Sequence, residues 1–240
     1  MPNSFFRFKQ FTIHQQQAGL KVSTDSCLFG AWCAQQLQEM NQQPGTILDI
    51  GTGTGLLLLM LAQQSTAMLE GVELDQPSFE QAVENIEQSA WQNRIRLFHQ
   101  DIRTFDPGKT YDFIVSNPPF YEGSLRSGTQ QRNVALHDEG LRLEELLGAV
   151  HLLLSASGSF AVLLPFQRAG ECIRKASAHQ LHLTQRLDVR QTPKHDFFRS
   201  LLLFSTAEQL LNNEGMTIKT EADAYSPEFI ELLKDYYLYL

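Results

Sequence analysis

Short, continuous apolar runs alternate with stretches of helical period through the middle of the chain. Residues 46–50 read as a buried strand, and residues 56–64, opening on four leucines, as the helix behind it. Residues 67–74 form a second strand. Residues 75–90 are amphipathic, with Pro77 in the first turn, where a missing N–H costs little. Two further strands fall at 94–98 and 111–116, then a helix at 141–155, a strand at 158–164 and a helix at 165–178. Strands at 181–190 and 198–205 follow with no helix between them, joined by a loop at 191–197. Strands alternating with helices predict an α/β fold with a doubly wound, mostly parallel sheet. The last pair predicts an antiparallel edge.

Two pieces flank this core. Residues 5–13 partly alternate apolar and polar positions and lead into a helix at about 25–38. Residues 216–240 offer a short strand and then a helix opened by Ser226-Pro227-Glu228, with an aromatic end expected to pack on the body. Without internal repeats or long linkers, the expected organisation is one domain: a flanking segment at 1–44, a core at 45–206 and an extension at 207–240.

Composition narrows the class. With 42% hydrophobic and 19% charged residues, the 240-residue chain has the balance of a soluble globular protein. Its longest purely apolar run, residues 56–62, is far too short to span a bilayer. The N-terminus has neither the apolar core nor the cleavage site of a signal peptide. Cys27, Cys33 and Cys172 form no CxxC pair, so neither a disulfide framework nor a metal site is expected. A cytoplasmic, monomeric protein without a membrane or protein partner is the expectation. The net charge of -8 disfavours indiscriminate nucleic-acid binding. Yet residues 1–24 carry Arg7, Lys9 and Lys21 and no acid, leaving one end suited to a polyanion.

The chemistry begins at Asp49-Ile50-Gly51-Thr52-Gly53-Thr54-Gly55, between the first core strand and its helix. Ligands of doubly wound sheets bind at the carboxyl ends of strands, where glycine lets them approach the backbone. The dinucleotide fingerprint fails because Leu56 holds its third glycine position, and no Gly-Lys-Ser/Thr follows for a nucleotide phosphate. An open loop with Asp49 at its entry instead suits a zwitterionic amino acid. Glu73, ending the second strand with Leu74 beside it, can accept hydrogen bonds from both ribose hydroxyls. Asp101-Ile102 follows the third strand, where an acceptor meets an adenine amino group. Each acid also has a structural reading: Asp49 and Glu73 as solvated strand-end acids, Asp101 as a turn cap. In this order at successive strand ends, they describe a pocket for S-adenosylmethionine (SAM).

Asn117-Pro118-Pro119-Phe120 closes the fourth strand. Each proline fixes its own φ, and Pro118 pushes Asn117 toward extended angles. The product is a stiff corner presenting the Asn117 side-chain oxygen, the Pro118 carbonyl and an aromatic face. Those groups suit a planar ring bearing an NH2; a plain Asn-Pro turn is the alternative.

With both motifs in place, the chain resembles the class I SAM-dependent methyltransferases carrying (N/D)PP(Y/F), which methylate exocyclic or amide nitrogens. More narrowly, it resembles the bacterial tRNA(Val) adenine-N6 methyltransferase family. That likeness rests on Phe8-Lys9-Gln10-Phe11, Lys21-Val22-Ser23-Thr24-Asp25, Leu28-Phe29-Gly30-Ala31-Trp32, the glycine loop, residues 117–120, Tyr225-Ser226 and residues 236–238. Ser23 departs from it, standing where the family pattern expects glycine. The resemblance implies a Rossmann-like, seven-stranded sheet with a reversed last strand. It implies SAM held by Asp49, Gly51, Thr52, Gly53, Gly55, Glu73, Leu74, Asp101 and Ile102, with Lys21 and Thr24 closing the pocket. It implies Asn117 and Pro118 gripping the amine, with Pro119 stiffening the corner and Phe120 stacking on a base splayed out of a tRNA loop. The reaction implied is methyl transfer to N6 of adenine 37 in the anticodon loop.

Fixed acceptors at that amine would stabilise charge developing on nitrogen, with no metal or strong base needed. Candidate RNA contacts are Arg7, Lys9, Arg126 and Arg132, with Arg190, Lys194, His195 and Arg199 near the last two strands; a solvated surface is their alternative. Residues 123–133 read as a polar loop over the target base. Ribosomal guanine-N2 or protein glutamine-N5 methylation are rival activities, and a SAM-binding RNA-interaction protein is the non-enzymatic one.

Overall fold

The computed structural model describes residues 4–40, 42–119 and 141–240. Strands β1 (Phe5–Arg7) and β2 (Thr12–His14) form an antiparallel hairpin. Phe8 and Phe11 stack at its turn, ring centroids 4.5 Å apart, because both must leave water while the polar Lys9 and Gln10 stay exposed. Helix α1 (Thr24–Glu39) follows, capped by the Ser23 hydroxyl, which accepts from the Ser26 N–H.

The core then runs β3 (Thr46–Ile50), α2 (Leu56–Gln64), β4 (Met68–Glu73), α3 (Gln76–Glu87), β5 (Ile95–His99), β6 (Tyr111–Ser116), α4 (Leu143–Leu153), β7 (Leu154–Pro165), α5 (Phe166–Ser177), β8 (His182–Arg190) and β9 (Phe197–Ser205). Strand β10 (Asn212–Thr217) and helix α6 (Pro227–Leu233) complete the chain. The strands lie in the order β10-β8-β9-β7-β6-β3-β4-β5. Among the described strands of this sheet, β9 alone runs antiparallel to its neighbours, β7 and β8. The reversed last strand is therefore present, and β10 adds an eighth strand parallel to β8. It starts before the expected 216 because Asn212, Asn213 and Glu214, exposed at the edge, carry no apolar signal.

Two apolar layers cover the sheet. One face carries α1, α2, α6 and the N-terminal hairpin, the other α4 and α5. Alternation on β3 follows this division: Ile47 faces the first layer, Leu48 and Ile50 the second. Helix α2 is apolar all round because it is covered all round; Leu56 through Ala62 are all buried. Each such leucine contributes about 1.5–3 kcal/mol by leaving water. Tyr236 closes over α2, its hydroxyl donating to the Met60 carbonyl at 3.1 Å. Tyr239, by contrast, is exposed, so the aromatic end docks only in part. Among the described residues, no helix is long and apolar enough to cross a membrane.

Candidate active site

The chain leaves β3 toward β4 and β5 on one side and later fills β6 and β7 on the other, so the carboxyl ends of β3 and β6 flank a topological switch point. Ile50 pairs with Ser116, and the Ser116 hydroxyl donates to the Ile50 carbonyl at 2.9 Å. The residues that come next, Gly51 and Asn117, therefore start on neighbouring strand ends. Adjacent strands lie about 4.8 Å apart. The glycine loop and the proline corner open onto one rim.

The glycine loop is shaped by positive φ. Gly51, Gly53 and Gly55 have φ of 74°, 56° and 80°, angles that favour glycine. Among the described residues, a Cβ at Gly51 or Gly53 would meet nothing within 4 Å. Gly71 on β4 serves packing instead: a Cβ there would lie 2.8 Å from Leu58 and Leu97 side-chain carbons. Backbone bonds from Gly51 N and Thr52 N to the Val72 carbonyl, at 2.9 and 3.2 Å, fold the loop over β4.

Asp49 is fully buried rather than a solvated strand-end acid. Its Oδ2 accepts from the Thr52 hydroxyl at 2.7 Å, while Oδ1 has no hydrogen-bond partner among the described residues. Burial pushes its carboxyl up to about 7; the Thr52 hydroxyl opposes this and the Glu73 charge reinforces it. A buried carboxylate oxygen without a donor, beside a glycine-lined opening, fits the ammonium end of an amino-acid cofactor. On that ground the residues present fit SAM.

Glu73 bridges two elements. Its Oε2 accepts from Gly53 N and its Oε1 from Asp75 N, both at 2.8 Å. Each carboxylate oxygen keeps a further lone pair, so the same group can hold the loop and receive ribose hydroxyls. Leu74 beside it is exposed. Asp101 caps the short turn at Ile102–Thr104: it accepts from Arg103 N at 2.9 Å and from the Arg103 guanidinium at 2.6 Å. That guanidinium holds its carboxyl below the usual range. The cap reading of Asp101 thus holds here, and its carboxylate already has a cation. Ile102 is buried behind it.

On the other half of the rim, Asn117 is half-buried, Pro118 buried and Pro119 exposed. The Asn117 Nδ2 donates to the Ser26 hydroxyl at 3.0 Å, across 91 residues of sequence. Ser26 was not among the residues singled out by sequence; only its place in the first turn of α1, after Thr24-Asp25, marks it. Asn85 is another such residue, on the buried face of α3. It donates to the His14 and Thr54 carbonyls, each at 2.9 Å, clasping the N-terminal segment to the glycine loop. A polar side chain on the buried face of an amphipathic helix was its available signal.

Lys21 and Thr24 are exposed on the segment entering α1. Among the candidate RNA contacts, Arg7 is exposed on β1, and Lys9 donates to the Lys234 carbonyl. Lys194 pairs with Glu221 at 3.7 Å and Arg199 with Asp25 at 2.8 Å. Arg199 is thereby engaged within the fold. Because β9 runs antiparallel to β8, the loop bearing Lys194 and His195 emerges on the same rim as the glycine loop. Phe120, Arg126, Arg132 and the loop at 123–133 lie outside the described residues. Among the described residues, no cluster of three His, Cys, Asp or Glu side chains is placed to hold a metal.

The methyltransferase small domain family matches residues 32–142. A curated protein from Flavobacterium psychrophilum is 37% identical over 236 residues, spanning 97% of this chain and 99% of its own length. Another, from Trichodesmium erythraeum, is 41% identical over 243 residues, with 99% of each covered. Both bear the name tRNA1(Val) (adenine(37)-N6)-methyltransferase. Among solved structures, a predicted O-methyltransferase, protein Atu636 from Agrobacterium tumefaciens, superposes with a TM-score of 0.67 at 16% identity, over 88% of this chain and 96% of its own. The magnesium protoporphyrin IX methyltransferase from Synechocystis PCC 6803, solved with bound SAM, gives 0.55 at 14% identity, over 76% and 80%. These structural likenesses are of fold. The curated relatives, similar from end to end, place this chain in the tRNA1(Val) (adenine(37)-N6)-methyltransferase family.

Proposed function

We propose that this protein methylates the exocyclic N6 of adenine 37 in tRNA1(Val), using SAM. The observation that carries the reading is the Ile50–Ser116 pairing, which seats the glycine loop and the Asn117 corner on neighbouring strand ends. The names of the relatives supply the nucleotide and the RNA.

When bound, SAM supplies an electrophilic methyl on its sulfonium. Asp49, beside the glycine loop, would hold its amino-acid end, and Glu73 its ribose. Asp101 and Ile102 would receive its adenine, and Lys21 and Thr24 would border the opening. Since Asn117 already donates through Nδ2, its Oδ1 remains to accept from the target amine. The Pro118 carbonyl accepts the second amine N–H. An adenine amino nitrogen is a poor nucleophile because its lone pair is delocalised into the ring. Two fixed acceptors favour the pyramidal form and stabilise positive charge as it develops, which is preorganisation directed at the transition state. A base in an RNA loop must be splayed out to reach such a corner. Lys194 on the rim, with Arg7 and Lys9 at the N-terminus, supplies positive charge for the phosphates. Arg126, Arg132 and the stacking residue Phe120 remain candidates by sequence.

The direct test is incubation with labelled SAM and total tRNA from a strain lacking this gene, followed by nucleoside mapping. N6-methyladenosine at position 37 of tRNA1(Val) is expected. Label confined to ribosomal RNA or protein overturns the substrate and favours the guanine or glutamine alternatives.

A further inference from the structure

A run of side chains joins Asn117 to the half-buried ion pair between Asp25 and Arg199. Asn117 Nδ2 lies 3.0 Å from Ser26 Oγ, and Ser26 Oγ lies 2.8 Å from Ser23 Oγ. Ser23 Oγ donates to Asp25 Oδ1, and Asp25 Oδ2 accepts from Arg199 Nε at 2.8 Å. Three segments distant in sequence meet here: the start of α1, the end of β6 and the start of β9.

The protons in this run can be placed by elimination. Burial alone would raise the Asp25 carboxyl, but the Ser23 hydroxyl and the Arg199 guanidinium outweigh it and hold it below the usual range. Asp25 is therefore an ion, and an ionised carboxylate only accepts. A serine hydroxyl has one proton, and that of Ser23 is directed at Asp25. Between the two serines, Ser26 must then be the donor. Its own proton used, Ser26 Oγ can only accept from Asn117, and only the NH2 end of the amide can donate. A turned amide would set carbonyl oxygen against hydroxyl oxygen at the same 3.0 Å, acceptor against acceptor.

We propose that Ser26 is a positioning residue: its hydroxyl, oriented through Ser23 and Asp25, fixes the Asn117 amide so that Oδ1 faces the methyl-accepting amine. The proposal rests on the reading of Asn117 as the residue that grips that amine. An Asn side chain has two nearly isosteric orientations, and only one offers an acceptor. The run of donors ending on an anion also polarises the amide, drawing electron density toward Oδ1. Ser23 has a second task beyond capping α1. A glycine there would leave Ser26 and Asp25 unjoined.

The test compares Ser26→Ala and Ser26→Thr with the unaltered protein in single-turnover methylation at saturating RNA, alongside SAM affinity by calorimetry. Ser26→Ala is expected to keep SAM affinity within about twofold and to slow transfer by about 10–100-fold, the range for losing an oriented donor or acceptor at a reacting centre. Ser26→Thr retains the hydroxyl and is expected to recover transfer to within about threefold of the unaltered protein, still on the scale of a single oriented contact. Transfer by Ser26→Ala at the unaltered rate overturns the proposal. So does a folded Ser26→Thr as slow as the alanine variant. Should Ser26→Ala not fold, Ser26→Gly, which also removes the hydroxyl, takes its place under the same criteria. Failure of the unaltered protein to methylate any RNA sinks the functional reading instead, so the two failures are distinct.

Discussion

The two halves of the rim are built in opposite ways. The cofactor half is assembled almost wholly between Asp49 and Glu73, by backbone bonds to β4 and a carboxylate that reaches back to Gly53. The target half takes Asn117 from β6 and holds it by a side chain at position 26, itself tied through Asp25 to Arg199 on β9. A local cradle holds the cofactor and a long-range brace holds the acceptor. Affinity for SAM and the rate of transfer should therefore respond to different residues.

The largest separation is expected from Asn117→Ala. Removing the amide deletes one of the two acceptors at the amine and leaves the glycine loop untouched. Transfer should fall by about 100–1,000-fold, the scale of a lost transition-state hydrogen bond. SAM affinity should stay within about threefold, since no cofactor contact is removed. Calorimetry beside single-turnover rates reads both. An equal loss of affinity and rate would erase the distinction between the halves.

Glu73→Gln probes the other half with a smaller effect. The amide can still accept from Gly53 or Asp75, but the charge-assisted component at the ribose hydroxyls is lost. SAM affinity should drop by about 10–100-fold, equivalent to about 1.5–3 kcal/mol for bonds to a charged group. Transfer at saturating SAM should hold within about threefold, because the Asn117 brace does not involve β4. A collapse of the saturated rate would show the two halves to be coupled through the loop.

The same contrast explains what could be read from the chain. The parallel core was legible because β3 and β6 are largely apolar runs bounded by glycine and proline, at Gly45 and Gly51 and at Gly108 and Pro118. The glycine loop and Glu73 were legible because their spacing reflects one strand–helix–strand unit. The proline corner carried its stiffness in its own residues. Strand β10 was only half legible, since an exposed edge needs no hydrophobic pattern. Ser26 and Asn85 were not, because their partners lie 91 and 71 residues away and nothing local records the meeting. Arg199 read as a candidate RNA contact; its pairing with Asp25 depends on where β9 lands beside α1.

Asp49 gives the smallest and most specific prediction, because its proton reports whether the cofactor half holds a cation. In the free protein burial pushes its carboxyl up to about 7 from the ordinary value of 3.8. Between those values the folded state binds more proton than the unfolded state, so this group's contribution to stability falls as pH rises through the window. The slope cannot exceed about 1.4 kcal/mol per pH unit. The loss is complete above about 7. Asp25 and Asp101, held below their usual range, act with the opposite sign and only toward the acid end, so pH 5 to 7.5 isolates Asp49. An ammonium beside the Asp49 oxygens favours the ionised form, so SAM affinity should weaken on acidification below about 7, by no more than about tenfold per unit. Thermal midpoints of the free protein should therefore decline from pH 5 to 7.5, and Asp49→Asn should flatten that decline and remove the pH dependence of SAM affinity. If Asp49→Asn leaves both slopes unchanged, the buried carboxyl is not the group that meets the cofactor.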